Sequence, residues 1–288
     1  MIPRSFEYFA PASVPDALGL LKKHGDEAKI LAGGHSLIPM MKLRFAQPSL
    51  LIDLGKISEL RGIREEGGTI RIGAMTSENG LIWSSLLQKK CPLIVEGARL
   101  ISDPQVRYKG TIGGDICHSD PANDHPAIML ALGASFVLRS ASRERVVPAD
   151  GFFVGTYATI MESDEIMTEI RIPTPAPSTG YCYSKLKRKI GDFATAAAAV
   201  TLVMKGESVA QVSIALTNVG MTPLKARGAE DSLRGKPLTD ASIANAAQLA
   251  MSICDPSQDQ RGSVEYKTVM AGEMTQRALR TARSRVGR

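Results

Sequence analysis

Two glycine pairs, each flanked by hydroxyl or carboxylate side chains, are where chemistry can concentrate in this sequence. The first is Ala32-Gly33-Gly34-His35-Ser36. It sits between a strand-like apolar run, Lys29-Ile30-Leu31-Ala32, and a helix-like segment from His35 to Leu43 that Pro39 interrupts. Glycine carries no Cβ, so main-chain N–H groups at such a turn can approach an anion closely. Ser36 adds a hydroxyl, and a helix start adds a favourable dipole. The spacing is neither that of a GxGxxG fingerprint nor that of a P-loop, and a purely structural strand–turn–helix reading stands beside the functional one. The second pair is Thr111-Ile112-Gly113-Gly114-Asp115, continued by His118, Ser119, Asp120, Asn123 and Asp124. Its bland reading is a solvated polar loop. A metal reading would use His118, Asp120, Asp124 and His125, but their spacing builds no octahedral or tetrahedral site. Two separate glycine–hydroxyl loops suit a dinucleotide better, because two phosphates and two sugar units need donors from several loops and a carboxylate for a sugar hydroxyl.

A third block, Lys185 to Ala194 (KLKRKIGDFA), packs cations ahead of Gly191-Asp192-Phe193. It reads either as a solvated basic strand or as a source of positive charge beside a reduced flavin ring, on which Phe193 could stack. A fourth run, Arg277 to Arg288, places arginines at near-helical intervals and reads first as a solvated helix face. The four histidines, His24, His35, His118 and His125, are too scattered to build an acid–base site. No Ser/His/Asp triad, CxxC or HExxH stands out.

The elements that must position these residues divide the 288-residue chain into several folding units. Ser13, Pro15 and Asp16 start a helix that Gly25 ends. Strands are predicted at Lys29–Ala32, Leu50–Leu54, Thr69–Ala74, Ser135–Leu138 and Glu165–Ile172. Helices fit Ser77–Lys89, Leu93–Ile101 and Pro126–Leu132, and the passage from Lys109 to Asp124 reads as a polar loop. The Pro-rich stretch Ile172 to Gly180 breaks helix and ladder alike and marks a boundary. Beyond it, strands Ala198–Met204 and Val209–Leu216 flank a turn, and helices fit Ala226–Arg234, Thr239–Met251 and Tyr266 to the C-terminus. The last part therefore reads as an α+β unit, an antiparallel sheet with helices against it.

Composition limits the function. The hydrophobic fraction is 44% and the charged fraction 22%, ordinary for a globular protein. The formal charge of +6 is modest, and no basic patch is interleaved with aromatics, so nucleic acid is not an expected partner. Cys91, Cys117, Cys182 and Cys254 lie far apart, which excludes a zinc ribbon or an iron–sulfur cluster built by this chain. The same spacing is unlike a secreted disulfide framework. With no signal peptide and no membrane-length apolar run, a cytoplasmic location is expected, with the inner face of the cytoplasmic membrane open to it.

AGGHSLIPMMKLR, DPQVRYKGTIGGD and KLKRKIGDFATAAAAV occur in this order and at these separations. Together with MIPRSFEYF and a YKTVMAG segment, Tyr266 to Gly272, they make the sequence resemble the medium, flavin-binding subunit of molybdenum-containing hydroxylases. The branch most resembled is that of aerobic carbon monoxide dehydrogenase, ahead of those acting on aldehydes, nicotine or purines. The resemblance implies an α+β fold: a two-lobed FAD-binding domain of the vanillyl-alcohol-oxidase/PCMH type over residues 1–177, with lobes of about 1–55 and 56–177, then a C-terminal α+β domain over 178–288. It implies that Lys29, Ile30, Leu31, Ala32, Gly33, Gly34, His35 and Ser36 form one FAD loop. Thr111, Ile112, Gly113, Gly114 and Asp115 form the second, continued by His118, Asn123 and Asp124. Ile101 and Ser102 would contact the cofactor, Ile160 and Met161 would lie by the ring, Lys185 near its polar edge and Phe193 against its face. Close relatives often carry Asn and Tyr where this chain has Asp115 and Phe193. Asp115 beside a pyrophosphate is repulsive unless it turns to a sugar hydroxyl or a donor. The resemblance further implies a dimer of heterotrimers. A large molybdoprotein subunit would carry molybdopterin cytosine dinucleotide and an Mo–Cu centre, a small iron–sulfur subunit would carry [2Fe–2S] clusters, and a quinone or other membrane-associated acceptor would take the electrons. A stand-alone FAD oxidoreductase is the alternative outside the family.

Overall fold

The computed structural model describes residues 1–287. The first lobe contains β1 (Glu7–Phe9), α1 (Val14–His24), β2 (Ala28–Leu31), α2 (Leu37–Lys42) and β3 (Leu50–Asp53). Its sheet runs β1-β3-β2, with both pairings parallel. Parallel strands need a covering element, and α1 supplies it. Ser13 accepts from the Asp16 N–H to cap α1, and the helix buries Val14, Ala17, Leu18 and Leu21 against the sheet.

The second lobe starts with the hairpin β4 (Ile63–Glu66) and β5 (Thr69–Gly73). A helical array follows: α3 (Glu78–Trp83), α4 (Ser85–Lys90), α5 (Pro92–Leu100), α6 (Pro104–Lys109), α7 (Ile112–His118) and α8 (Asp124–Ala131). It closes with β6 (Ser135–Arg139), β7 (Glu144–Pro148), the small pair β8 (Phe153–Gly155) and β9 (Ala158–Thr159), and β10 (Ile166–Pro173). The main sheet is antiparallel, in the order β4-β5-β10-β6-β7.

The last unit is a four-stranded antiparallel sheet of β11 (Gly180–Leu186), β12 (Ala196–Lys205), β13 (Ser208–Thr217) and β14 (Leu224–Lys225). Helices α9 (Arg227–Leu233), α10 (Asp240–Met251) and α11 (Val264–Arg285) pack on it. Strand β12 is buried on both faces. Ala196, Ala198, Val200 and Leu202 join the core under the last three helices, while Ala197 and Ala199 join the core of the second lobe. The alanine run thus welds the C-terminal unit to the second lobe, because small side chains let α5 and α8 approach the sheet.

Three expectations change. The passage read as a polar loop is largely helix: α7 and the start of α8 fall inside it. Thr111 caps α7 by accepting from the Gly114 N–H, a local signal that two consecutive glycines obscure. The basic run is a strand only through Lys185 and Leu186; from Lys187 to Phe193 the chain leaves the sheet. There Arg188 pairs with Asp192 at 3.0 Å, so the run is a structured loop rather than a solvated strand. Nor are the C-terminal arginines simply solvated. Arg277 pairs with Glu273, Arg280 and Arg283 lie against Asp240, and Arg285 reaches Glu96 on α5. Arg288 lies outside the described residues.

Candidate functional site

The three units meet around a cavity of about 840 Å³. Of the residues singled out in the sequence, Lys29, Ile30, Ala32, Gly33, Gly34, His35 and Ser36 line it from the first lobe. Ile101, Ser102, Thr111, Gly113, Gly114, Asp115, His118, Asn123, Asp124 and Met161 line it from the second, and Lys185 and Phe193 from the C-terminal unit. Three lie outside the lining. Leu31 turns against Gly34, Ile112 is fully buried in the second-lobe core, and Ile160 packs on that core while its carbonyl accepts from Arg145.

The first glycine loop leaves β2 and enters α2. Among the described hydrogen bonds, the main-chain N–H groups of Gly33, Gly34, His35 and Ser36 find no acceptor within the chain. Consecutive unpaired donors beside a cavity are suited to an anion. Gly34 has φ of +77°, which a side chain would strain. Gly33 is glycine for a different reason: a Cβ there would stand 2.4 Å from the Lys109 carbonyl oxygen. The first glycine loop thus touches, backbone to backbone, the Lys109-Gly110 segment that leads into the second.

The second glycine loop is built differently. The Ile112 N–H donates to Thr76, Gly113 to Ala74, Gly114 to the Thr111 hydroxyl and Asp115 to the Thr111 carbonyl. Its donors are thus already used. A Cβ on Gly113 would lie 2.6 Å from the Ala74 carbonyl oxygen, so this glycine serves the packing of α7 on the chain after β5. The pair at 113–114 shapes a wall, and the donors come from the pair at 33–34.

A polar cluster forms part of the lining. Glu78 of α3 and His125 of α8 are paired at 2.8 Å between Oε2 and Nε2. Burial alone would lower the His125 pKa, but Glu78 more than offsets this, helped by Asp115 and Asp124, and the imidazole is pushed up to about 9. Asp124 accepts from the Lys185 ammonium at 2.7 Å and from the Tyr183 hydroxyl. Lys185 also donates to the Leu100 carbonyl. The predicted cation is therefore present, but bound to the predicted carboxylate. Asp115 is the odd member: its Oδ2 is sealed from solvent without a partner, and burial pushes its carboxyl up to about 8.

Ser102 takes a left-handed φ of +40° at the cavity edge. Arg107 holds it there by donating to the Ile101 and Ser102 carbonyls, and Gly191 packs against it. The Phe193 ring is half-exposed, with the Arg261 guanidinium 5.6 Å from its centre. The sequence reading missed Glu78, Cys117, Tyr157 and Met167, all in the lining. The Cys117 sulfur lies 3.5 Å from that of Met161 and 3.9 Å from that of Met167. Burial pushes its thiol up to about 12, so it stays neutral and forms a polarizable apolar wall with the methionines. Tyr157 stacks on His118 at 4.9 Å. No spacing rule connects these residues, although the Ser77-Glu78 helix start was legible.

A cavity of this size with unpaired N–H donors, an apolar sulfur wall and a buried carboxylate–ammonium pair fits a dinucleotide with a flat ring. Among the described residues, no group of His, Cys, Asp or Glu converges to hold a metal ion.

Comparison with known proteins agrees. Residues 4–175 match the FAD binding domain in molybdopterin dehydrogenase, and residues 181–282 match the CO dehydrogenase flavoprotein C-terminal domain. The carbon monoxide dehydrogenase medium chain of Hydrogenophaga pseudoflava is 56% identical over 99% of both chains. That of Afipia carboxidovorans is 50% identical over the same shares. A solved structure of carbon monoxide dehydrogenase from Hydrogenophaga pseudoflava, lacking the Mo-pyranopterin moiety of its cofactor, superposes with a TM-score of 0.99 over 100% of both chains. Fold, cavity and sequence thus lead to one conclusion: the chain belongs to the FAD-binding family of molybdopterin dehydrogenases and carries the C-terminal domain of the CO dehydrogenase flavoproteins.

Proposed function

We propose that this chain is the FAD-carrying medium subunit of an aerobic carbon monoxide dehydrogenase. The observation that carries the reading is the cavity: four unpaired N–H groups at Gly33–Ser36 face a space of about 840 Å³ to which all three units contribute. The choice of carbon monoxide rests on the identity to two such medium chains over 99% of their length. Bound FAD supplies an electron acceptor for electrons released from carbon monoxide on a large molybdoprotein subunit and carried by [2Fe–2S] clusters of a small subunit, for delivery to a quinone.

The chain's own residues bind and orient. The N–H groups of Gly33 to Ser36 take the diphosphate. Asp124, fixed by Lys185 and Tyr183, presents its remaining acceptor capacity to a sugar hydroxyl. Cys117, Met161 and Met167 exclude water from one side of the ring, and Phe193 covers an edge that opens to solvent. We place the boundary between the FAD-binding domain and the C-terminal domain at about residue 177, between β10 and β11. Among the described residues no helix is long and apolar enough to cross a membrane, so we propose that a membrane acceptor is met at the surface.

The test is the visible spectrum of the complex purified through this chain. Flavin bands together with larger and smaller copurifying subunits are expected, with carbon monoxide oxidation in the complex but not in the chain alone. Absence of flavin even after FAD is added would sink the reading. Turnover by the lone chain would favour a stand-alone flavoenzyme.

A further inference from the structure

We propose that Asp115 stands as a neutral carboxylic acid in the cavity wall, and that FAD is held only while this carboxyl keeps its proton. The inference rests on the FAD reading above. Three carboxylates (Glu78 of α3, Asp115 of α7 and Asp124 of α8) share a cluster with two cations, the His125 imidazolium and the Lys185 ammonium. Both cations are already committed. His125 Nε2 is 2.8 Å from Glu78, and Lys185 Nζ is 2.7 Å from Asp124. Tyr183 of β11 also donates a hydrogen bond from its hydroxyl to Asp124. His118, on the same helix as Asp115, offers no third cation, because burial draws its pKa down despite Asp120.

Asp115 is left over. Its Oδ2 is buried and accepts no hydrogen bond. Ionisation would leave charge on that sealed, unpartnered oxygen, whereas the protonated acid leaves only a polar group there. Burial is the largest force on its carboxyl, and the charges of Glu78 and Asp124 act in the same direction. Opposing them are the His125 imidazolium, already engaged by Glu78, and a weaker hydrogen bond from the His125 main-chain N–H.

The cluster and the anion-binding loop line the same cavity, and their chains approach at Gly114. A Cβ on Gly114, the residue before Asp115, would lie 3.4 Å from the Ala32 side chain, and Ala32 precedes the unpaired N–H groups of Gly33 to Ser36. A diphosphate seated there adds negative charge beside the cluster. With Asp115 protonated, the three carboxyl groups and two cations balance. With it ionised, a like charge faces the phosphates in a poorly screened setting, and binding opposes ionisation.

The test uses the full chain, titrated with FAD by quenching of flavin fluorescence. Between about pH 7 and about pH 9 the dissociation constant is expected to rise by about tenfold, the effect of one unit beyond a pKa near 8. In Asp115→Asn, which cannot ionise, the same ratio is expected to stay below about twofold. An infrared band of a protonated carboxylic acid is expected near neutral pH in the FAD-free wild type. It should fade as the pH passes about 8 and be missing in the variant. An equal alkaline loss in Asp115→Asn, or no acid band in the wild type, would overturn the proposal. A wild-type chain that binds no FAD near neutral pH would overturn the cofactor reading instead, and the infrared titration would still decide the state of Asp115.

Discussion

Gly33 and Gly34 are adjacent, yet they are glycines for unrelated reasons, and substitutions separate them. Alanine at Gly33 must displace the Lys109 carbonyl, 2.4 Å from its Cβ, and so must part the first loop from the segment that leads into the second. The expected cost is that of overpacking, about 1–3 kcal/mol, with loss of bound flavin. Alanine at Gly34 meets a positive φ and the movable Ile38 side chain, so the expected cost is about 1–2 kcal/mol of backbone strain. Gly19, inside α1 with open space around it, is the control. Gly19→Ala should stabilise the chain by up to about 1 kcal/mol and leave flavin content unchanged. Urea denaturation and the flavin-to-protein absorbance ratio read all three. Equal flavin content in Gly33→Ala and Gly19→Ala would refute the loop contact. Both glycine pairs were legible in the sequence as candidate loops, but the division of labour between them was not. It depends on which N–H groups are used elsewhere, and the acceptors for Ile112 and Gly113 lie on Thr76 and Ala74, outside either motif.

Whole elements were legible where periodicity and end signals agreed. The cap at Ser13, the basic last turn and the glycine stop of α1 fell in place, as did the turn between β12 and β13, where Gly206 takes the positive φ. Elements hidden by composition were not legible. Helix α7 opens on two poor helix formers and is held by the Thr111 cap and by Ile116 in the core. Thr111→Val should therefore cost about 1 kcal/mol of stability in urea unfolding, as loss of a helix cap does, and strand the Gly114 N–H. No change in stability would mean that tertiary packing alone holds the helix. Strand β11 escaped notice because Pro-rich sequence precedes it and Lys185 ends the pattern. Its register with β12 places Tyr183 opposite Ala199. Leucine at Ala199, fully buried where the C-terminal sheet meets the second-lobe core, should cost about 1–3 kcal/mol by overpacking. A smaller cost would mean that the seam between the two units is looser than its buried alanines imply.

At the scale of the whole molecule, the buried charges that hold the units together set how stability varies with pH. Lys185 comes from the C-terminal sheet and Asp124 from the second lobe, and both side chains are almost wholly buried. Lys185→Met leaves the Asp124 carboxylate without its cation and is expected to cost about 3–5 kcal/mol. Three further groups give the pH profile its shape. Asp115 is raised by burial from 3.8 to about 8, so the folded chain holds a proton that the unfolded chain has lost, and stability falls as pH rises across that interval. His125, for which Glu78 outweighs the effect of burial, is raised from 6.5 to about 9; its contribution is complete below 6.5 and is lost as pH rises through 9. Asp192 has the opposite sign. Burial would raise it, but Arg261 and Arg188 draw it from 3.8 down to about 2, so its contribution is present above 3.8 and is lost as pH falls through 2. The first two windows overlap between 6.5 and 8, and the decline in stability should be steepest there. Urea unfolding of the FAD-free chain at several pH values is the measurement. Asp115→Asn should flatten the slope below 8 while leaving the His125 portion up to 9. A wild-type profile that is level from 6.5 to 9 would show that neither proton is held in the folded chain and that the carboxylates of the cavity wall are not balanced in this way.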